Sequence, residues 1–200
     1  MKNLALVFLF IFSTLSVIDY SHAAITPLSL GIAPPVQFPP SDFTITGLRA
    51  SVLWGHHRDL YGVDLAVGGN ITDLTFTGIG VSGIFNYTKG NTTIVGLQFA
   101  GITNINTSKT NVYGVQAALA ANINTSASSL TGVQFGMANI SPFMDIYGVQ
   151  AGAYNKAKEV YGIQIGIVNV AESLHGIQIG LLNFHTKGMI GVSPLINAGF

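Results

Sequence analysis

The feature that most constrains this chain is a short repeat in which Gly, an apolar residue, Gln and a second apolar residue follow one another. The unit occurs six times, and its copies begin at Gly96, Gly114, Gly132, Gly148, Gly162 and Gly176. Weaker copies begin at Gly47, Gly62 and Gly78, and a degenerate copy occupies residues 189–200. Repeats of this kind are stable only when neighbouring copies pack together, so about ten similar segments are predicted to lie side by side.

Each segment alternates between two kinds of side chain. Tyr161, Ile163 and Ile165 point one way, whereas Gly162 and Gln164 point the other. This period of two predicts β-strands. A glycine at every fourth position would cost a helix about 1 kcal/mol each time. The chain is therefore predicted to be all-β, with one apolar face and one face of small and amide side chains.

Two architectures fit this pattern. We expect an antiparallel meander of about ten short strands that closes as a small outer-membrane β-barrel. The core Gly-x-Gln-x-Gly is a palindrome, so Gly162 could pair with Gly180 and Gln164 with Gln178 across a hairpin. The distance between motif glycines varies from 14 to 18 residues, which hairpin turns tolerate. The alternative is a β-solenoid of stacked 14–18-residue repeats, whose apolar face would form the core.

The charges support the barrel. Charged residues make up 8% of the chain, compared with about 25% in an ordinary soluble domain. In a barrel the apolar face meets lipid, and tyrosines at the strand starts form an aromatic girdle. These tyrosines are Tyr61, Tyr113, Tyr147 and Tyr161. A net charge of zero argues against nucleic-acid binding, and the absence of cysteine excludes disulfides and thiol chemistry.

The chain divides into three parts. Lys2, the apolar run 4–17 and the small-x-small site ending at Ala23 predict a signal peptide over residues 1–23. Residues 24–42 form a Pro-rich N-terminal segment, which cannot be a central strand and could be a periplasmic tail, a lumen insert or a cap. Residues 43–200 form the repeat β-domain.

The motifs indicate no catalytic, cofactor or metal site, because no acid pair, nucleophile motif or ligand set is present. His56 and His57 are expected in an exposed turn. The polar face is predicted to line the lumen, and the glutamines either plug it by bonding to one another or line a narrow passage. Arg49 and Asp64 are interpreted as an ion pair that fixes the register, with a pore or ligand site as the alternative. The predicted lumen residues are Arg49, Asp64, Gln98, Gln116, Gln134, Gln150, Gln164 and Gln178.

Several segments together resemble a known family. They are Pro34-Pro35-Val36-Gln37-Phe38, Thr46-Gly47-Leu48-Arg49, Leu53-Trp54-Gly55, Tyr61-Gly62-Val63-Asp64-Leu65, the Gly-Ile-Gln-Ile-Gly-Leu-Leu-Asn unit, and the ending Ser193-Pro194-Leu195-Ile196-Asn197. In this order they resemble the leptospiral-type surface repeat-containing protein family over nearly all of the mature chain. The resemblance implies export and residence in the outer membrane or on the cell surface of a Gram-negative bacterium. It assigns no functional residues.

The expected function is therefore that of an exported, non-enzymatic repeat protein with a structural or surface role. Its expected partner is outer-membrane lipid, with no nucleic acid and with protein partners unknown. A narrow outer-membrane pore and a secreted soluble β-solenoid adhesin are the alternatives.

Overall fold

The computed structural model describes residues 24–200, so the predicted signal peptide lies outside the described residues. Within this range no helix is long and apolar enough to cross a membrane. The secondary structure consists of 15 strands. They are β1 (Ile25–Ala33), β2 (Val36–Phe38), β3 (Thr44–Ser51), β4 (Trp54–Ala66), β5 (Gly69–Ser82), β6 (Phe85–Thr88), β7 (Thr92–Ala100), β8 (Thr103–Asn106), β9 (Thr110–Ala118), β10 (Ala121–Asn124), β11 (Ser128–Phe135), β12 (Ala138–Ala151), β13 (Tyr154–Ile165), β14 (Val168–His185) and β15 (Val192–Gly199).

The strands wind into a β-solenoid of about ten turns. Successive repeats pair in parallel and in register, so that Gly148, Gly162 and Gly176 lie next to one another. Among the strands of residues 24–200, only β1–β2 and β14–β15 pair antiparallel. Because neighbouring strands in a sheet are about 4.8 Å apart, ten turns make a rod roughly 45–50 Å long.

The predicted antiparallel barrel is wrong. Gly162 pairs with Gly176 and not with Gly180, and Gln164 pairs with Gln178 in parallel instead of across a hairpin. The variable spacing, which favoured hairpins, is largely taken up at one corner of the solenoid, where the connection is longer in some turns than in others. The alternative, a β-solenoid, is the observed architecture.

Each turn has two sides and two corners, and one turn illustrates all four. Lys158 and Glu159 form the polar corner, residues 160–166 form side A with the Gln motif, Ile167 marks the apolar corner, and residues 168–171 form side B. The corners are themselves hydrogen-bonded between turns, for example from the Ile167 N–H to the Ala153 carbonyl at 2.9 Å. The two corners give the cross-section opposite polarities at its two ends.

The interior also differs from the predicted one. A single column of aliphatic side chains and one phenylalanine runs along side A next to the polar corner. Its members are Ile45, Leu60, Phe76, Ile94, Val112, Leu130, Ile146, Val160 and Leu174. Most of the remaining interior consists of amide and hydroxyl side chains. The Gln face therefore points inward and the Ile face outward, the reverse of what a solenoid with an apolar core requires.

The first glycine of the motif is required by the backbone. Gly162 has φ 145°, a conformation that favours glycine. A Cβ there would also lie 2.0 Å from the Gly148 carbonyl oxygen of the preceding turn. A larger residue at position 162 would force these two turns apart.

Both ends of the solenoid are capped by antiparallel strands. The Pro-rich segment is neither a tail nor a lumen insert: β1 adds in parallel to β3, and β2 folds back on β1. Pro27 lies at a register shift in the part of β1 that β2 does not cover. At the other end, β15 carries Pro194 and covers β14. Prolines and irregular register at edge strands oppose end-to-end stacking of copies.

Candidate functional site

The glutamines predicted to line a lumen form an internal ladder. Gln98, Gln116, Gln134, Gln150, Gln164 and Gln178 are 0–1% exposed. Each amide nitrogen from Gln116 onward donates to the side-chain oxygen of the preceding turn's glutamine, at 2.6–2.8 Å. Asn197 of the cap donates to Gln178 at 3.2 Å and ends the ladder. The amides thus satisfy one another without water.

A second ladder runs in the opposite direction. The asparagines that close the repeats donate to the next turn's asparagine at 2.8 Å. They are Asn70, Asn86, Asn104, Asn122, Asn139, Asn155, Asn169 and Asn183, and all are buried. Their N–H groups point toward the C-terminal end, whereas those of the glutamines point toward the N-terminal end. The two amide rows therefore oppose each other's dipoles.

These ladders fill the space in which a narrow passage lined by the glutamines was the alternative prediction. With the barrel contradicted, no lumen exists for these residues to line, and the side chains meet at hydrogen-bond distance instead. The narrow-pore alternative depended on the barrel and falls with it.

Arg49 and Asp64 continue the glutamine column toward the N-terminal end. Their register is Arg49 beside Asp64, as the ion-pair interpretation required. Arg49 Nε donates to Asp64 Oδ1 at 2.7 Å and the terminal nitrogen to Oδ2 at 2.5 Å. Both residues are almost fully buried. Burial raises the pKa of the Asp64 carboxyl, and the charge and hydrogen bonds of Arg49 oppose that rise.

His57 joins this cluster, contrary to the expected exposed turn. It lies in β4 and is fully buried, whereas His56 faces outward. An arginine nitrogen can only donate, so Nδ1 of His57 accepts from Arg49 at 3.3 Å and Nε2 donates to the Pro39 carbonyl at 3.2 Å. Burial and the Arg49 charge lower the pKa of His57 to about 4, which keeps the ring neutral.

The cluster is not built for nucleophilic catalysis. Ser29 lies 3.4 Å from His57 Nε2, but its hydroxyl is buried. The other ring nitrogen faces a guanidinium, whereas a base needs an acceptor that stabilises its protonated form. The arrangement joins the Pro-rich cap to the first turns and serves the fold.

Gly80 interrupts the polar column between Asp64 and Gln98. The Phe76 ring occupies part of the space, since a Cβ on Gly80 would lie 3.1 Å from it. The remaining cavity, next to Asn70, has a volume of about 10 Å³. It holds nothing larger than a water molecule. Across residues 24–200 no group of three or more His, Cys, Asp and Glu side chains could hold a metal ion.

The outer surface of the solenoid is unusually apolar. Side A presents two long columns of exposed or half-buried apolar residues, paired turn by turn. One runs Leu97, Val115, Val133, Val149, Ile163, Ile177, and the other Phe99, Ala117, Phe135, Ala151, Ile165, Ile179. The apolar corner adds residues that are 47–73% exposed: Val67, Ile84, Ile102, Leu119, Met137, Ile167 and Leu181. Contiguous apolar surface on this scale marks an interaction site.

The charges gather at the polar corner, opposite the apolar one. Asp73 accepts from Lys89 and His56, both at 2.7 Å, and Lys158 and Lys187 pair with acids in the same region. Partial burial raises the pKa of Asp73, but the hydrogen bonds from Lys89 and His56 outweigh it and hold the pKa below its usual value. Exposed pairs of this kind add little stability. They keep this corner hydrated.

Tyrosines lie between the charges and the apolar columns. Tyr113, Tyr147 and Tyr161 occupy the first outward position of side A, in one column with Thr131 and His175. The Tyr147, Tyr161 and His175 rings are stacked, with centroids 4.9 and 4.5 Å apart. The Tyr161 hydroxyl donates to Glu159 of the polar corner at 3.2 Å. Polarity therefore decreases stepwise from the polar corner, through the tyrosines, to the apolar corner.

Sequence reasoning missed the apolar corner as a separate surface. Its signal was the apolar residue between the end of each motif and the closing asparagine, as in Gly166-Ile167-Val168-Asn169. Comparison with protein-family models, curated proteins and solved structures finds no match for the chain.

Proposed function

We propose that the chain is an exported, non-enzymatic structural repeat protein that lies on the outer membrane of a Gram-negative bacterium. Its apolar surface binds lipid there and its polar corner faces water. The observation that carries this proposal is the reversed polarity of the solenoid, in which amides fill the interior and aliphatic side chains cover the outside. Export is supported by the pattern of residues 1–23.

A structural role agrees with the use of the polar groups. The ladder glutamines and asparagines are hydrogen-bonded inside the rod, and the buried Arg49–Asp64–His57 cluster connects a cap to the body. Lipid binding uses the largest remaining feature, which is apolar area without charge.

The test is the distribution of the protein between membrane and water. In the native host we expect the mature protein in the outer-membrane fraction, released by detergent. Purified residues 24–200 should float with vesicles of phosphatidylethanolamine and phosphatidylglycerol, equally at low and high salt. Salt independence follows because the net charge of the whole chain is zero and binding is driven by apolar contact.

A monodisperse protein that needs no detergent and ignores vesicles would contradict the proposal. It would favour the secreted adhesin, the remaining alternative from the sequence. Flotation that disappears at high salt would also count against it, because contact would then be electrostatic.

A further inference from the structure

Resting on the proposed function, we infer that the solenoid enters the membrane with its apolar corner first. Its axis lies in the membrane plane and it is immersed to the depth of one lipid leaflet. The tyrosine column then lies among the headgroups and the polar corner lies in water.

The apolar corner is strongly exposed. Val67 is 73% exposed, Ile102 51% and Ile167 54%. Neither this corner nor the two outward columns beside it on side A carries an Asp, Glu, Lys or Arg from Gly96 to Leu182. The same position is apolar turn after turn, so the corner forms a continuous ridge along the rod.

The ridge presents a satisfied backbone, which lipid contact requires. The Ile102 N–H donates to the Ile84 carbonyl at 2.8 Å, and the Leu182 N–H donates to the Ile167 carbonyl at 3.0 Å. Bonds of this kind run from turn to turn around the bend. Acyl chains against the ridge would therefore meet side chains and paired amides, not open hydrogen-bonding groups.

The dimensions match one leaflet. Six residue steps separate Tyr161 from Ile167, and at about 3.3 Å per step they cover roughly 20 Å along side A. Half of a hydrocarbon core about 30 Å thick is about 15 Å. A tilt of side A by about 40° from the membrane normal brings Ile167 near the midplane while Tyr161 remains at the interface, where tyrosine is enriched in membrane proteins.

Lipid fits this surface better than a second copy of the chain. The ridge is convex, with side A on one flank and side B on the other, so a rigid partner could cover only one flank at a time. Fluid acyl chains can follow both flanks, and Lys156 on side B carries a long side chain whose amine can reach toward the headgroups. The stepwise decrease in polarity from Glu159 through Tyr161 to Ile167 follows the polarity of a membrane interface.

A matched pair of double variants tests the orientation. Ile102→Ser with Ile167→Ser removes two residues of the ridge, and Leu74→Ser with Phe143→Ser removes two at the polar corner. Exposure is equal between the pairs, 51% and 54% in each. The ridge variant should weaken vesicle partitioning about 30-fold or more, as expected from two lost apolar side chains, and the control should change it less than about threefold. Unfolding midpoints of both variants should stay close to that of the unmodified protein, since all four side chains are largely exposed.

The depth of immersion is measured with a fluorophore attached to one introduced cysteine. The chain has no cysteine of its own, so only that position is labelled. A fluorophore on Ile167→Cys should be quenched by lipids brominated on the acyl chain and protected from aqueous iodide. A fluorophore on Lys158→Cys should show the reverse. Vesicle-bound protein in which both labels are quenched by iodide, or both by bromine, overturns the edge-first orientation while leaving membrane binding intact. Protection of the label at position 167 in a lipid-free dimer would assign the ridge to a second copy, and failure of flotation itself would overturn the proposed function.

Discussion

Substitutions that reverse the polarity of two adjacent residues in β13 distinguish this fold from a solenoid with an apolar core. Gln164 is fully buried and Ile165 is 44% exposed. Gln164→Leu leaves the Gln150 side-chain oxygen without its donor at 2.6 Å, and it removes the acceptor of Gln178 at 2.7 Å. Gln178 retains a longer bond to the Phe184 carbonyl at 3.2 Å.

The magnitude follows from these contacts. Each buried polar group that loses its partner costs about 1–3 kcal/mol, so the two together cost about 2–5 kcal/mol once the remaining Gln178 bond is counted. Ile165→Gln changes an exposed side chain, for which about 0.5 kcal/mol is typical. Gln164→Leu should therefore be the more harmful change, although it places an apolar residue in an interior position.

The assay is equilibrium unfolding in urea, followed by circular dichroism in one mild detergent for all proteins. Ile163→Gln serves as a second outward control on the same strand. An apolar core behind Ile163 and Ile165 would produce the opposite order, with both isoleucine variants losing more stability than Gln164→Leu. That order would refute the assignment of the inside and the outside of the solenoid.

Two further predictions concern the N-terminal cluster. The pKa of His57 is lowered from 6.5 to about 4 in the folded chain, so the unfolded chain binds a proton first as the pH falls. The free energy of unfolding is therefore highest above about pH 6.5. It decreases toward pH 4 by up to about 3 kcal/mol. His57→Gln should remove most of this slope in urea titrations at several pH values, and an unchanged slope would contradict the assignment. Arg49→Met leaves Asp64 buried without its partner and should cost about 3–5 kcal/mol, whereas Arg49→Met with Asp64→Leu should regain most of the loss. A double variant no more stable than Arg49→Met in thermal unfolding would show that the cluster depends on more than this pair.

The strands, the repeat and the pairing of Arg49 with Asp64 could be predicted because they depend on local alternation and register alone. The side that faces inward could not be predicted in the same way. A period of two shows that the faces differ, and apolar residues are usually the buried ones. Here identical amides stack in parallel and satisfy one another, so burying glutamine costs little. That compensation exists only in the assembled solenoid and leaves no mark in a single repeat.

One feature of the sequence distinguishes parallel from antiparallel pairing of the repeats. The two glycines of the palindrome Gly-x-Gln-x-Gly are equivalent by symmetry, but the residues found at the two positions differ. The first position is glycine from Gly62 to Gly176, whereas the second is Ala66, Ser82, Ala100 or Ala118 before it becomes glycine. A strictly required glycine reflects the positive φ, which parallel stacking imposes on the first position only. The mirror-symmetric pairing would have required both.

The directed glutamine ladder has a consequence for how the rod can change. A single amide cannot rotate by itself: turning Gln134 over would set its oxygen against that of Gln116 and its nitrogen against that of Gln150. Each reversal would create two repulsive junctions in the interior, so intermediate arrangements are disfavoured and the row can reverse only as a unit. The six glutamines, although far apart along the chain, therefore have the same one of two amide orientations. A reversal that starts at Gln98, beside the gap left by Gly80, reaches Gln178 only if every glutamine between them turns over as well.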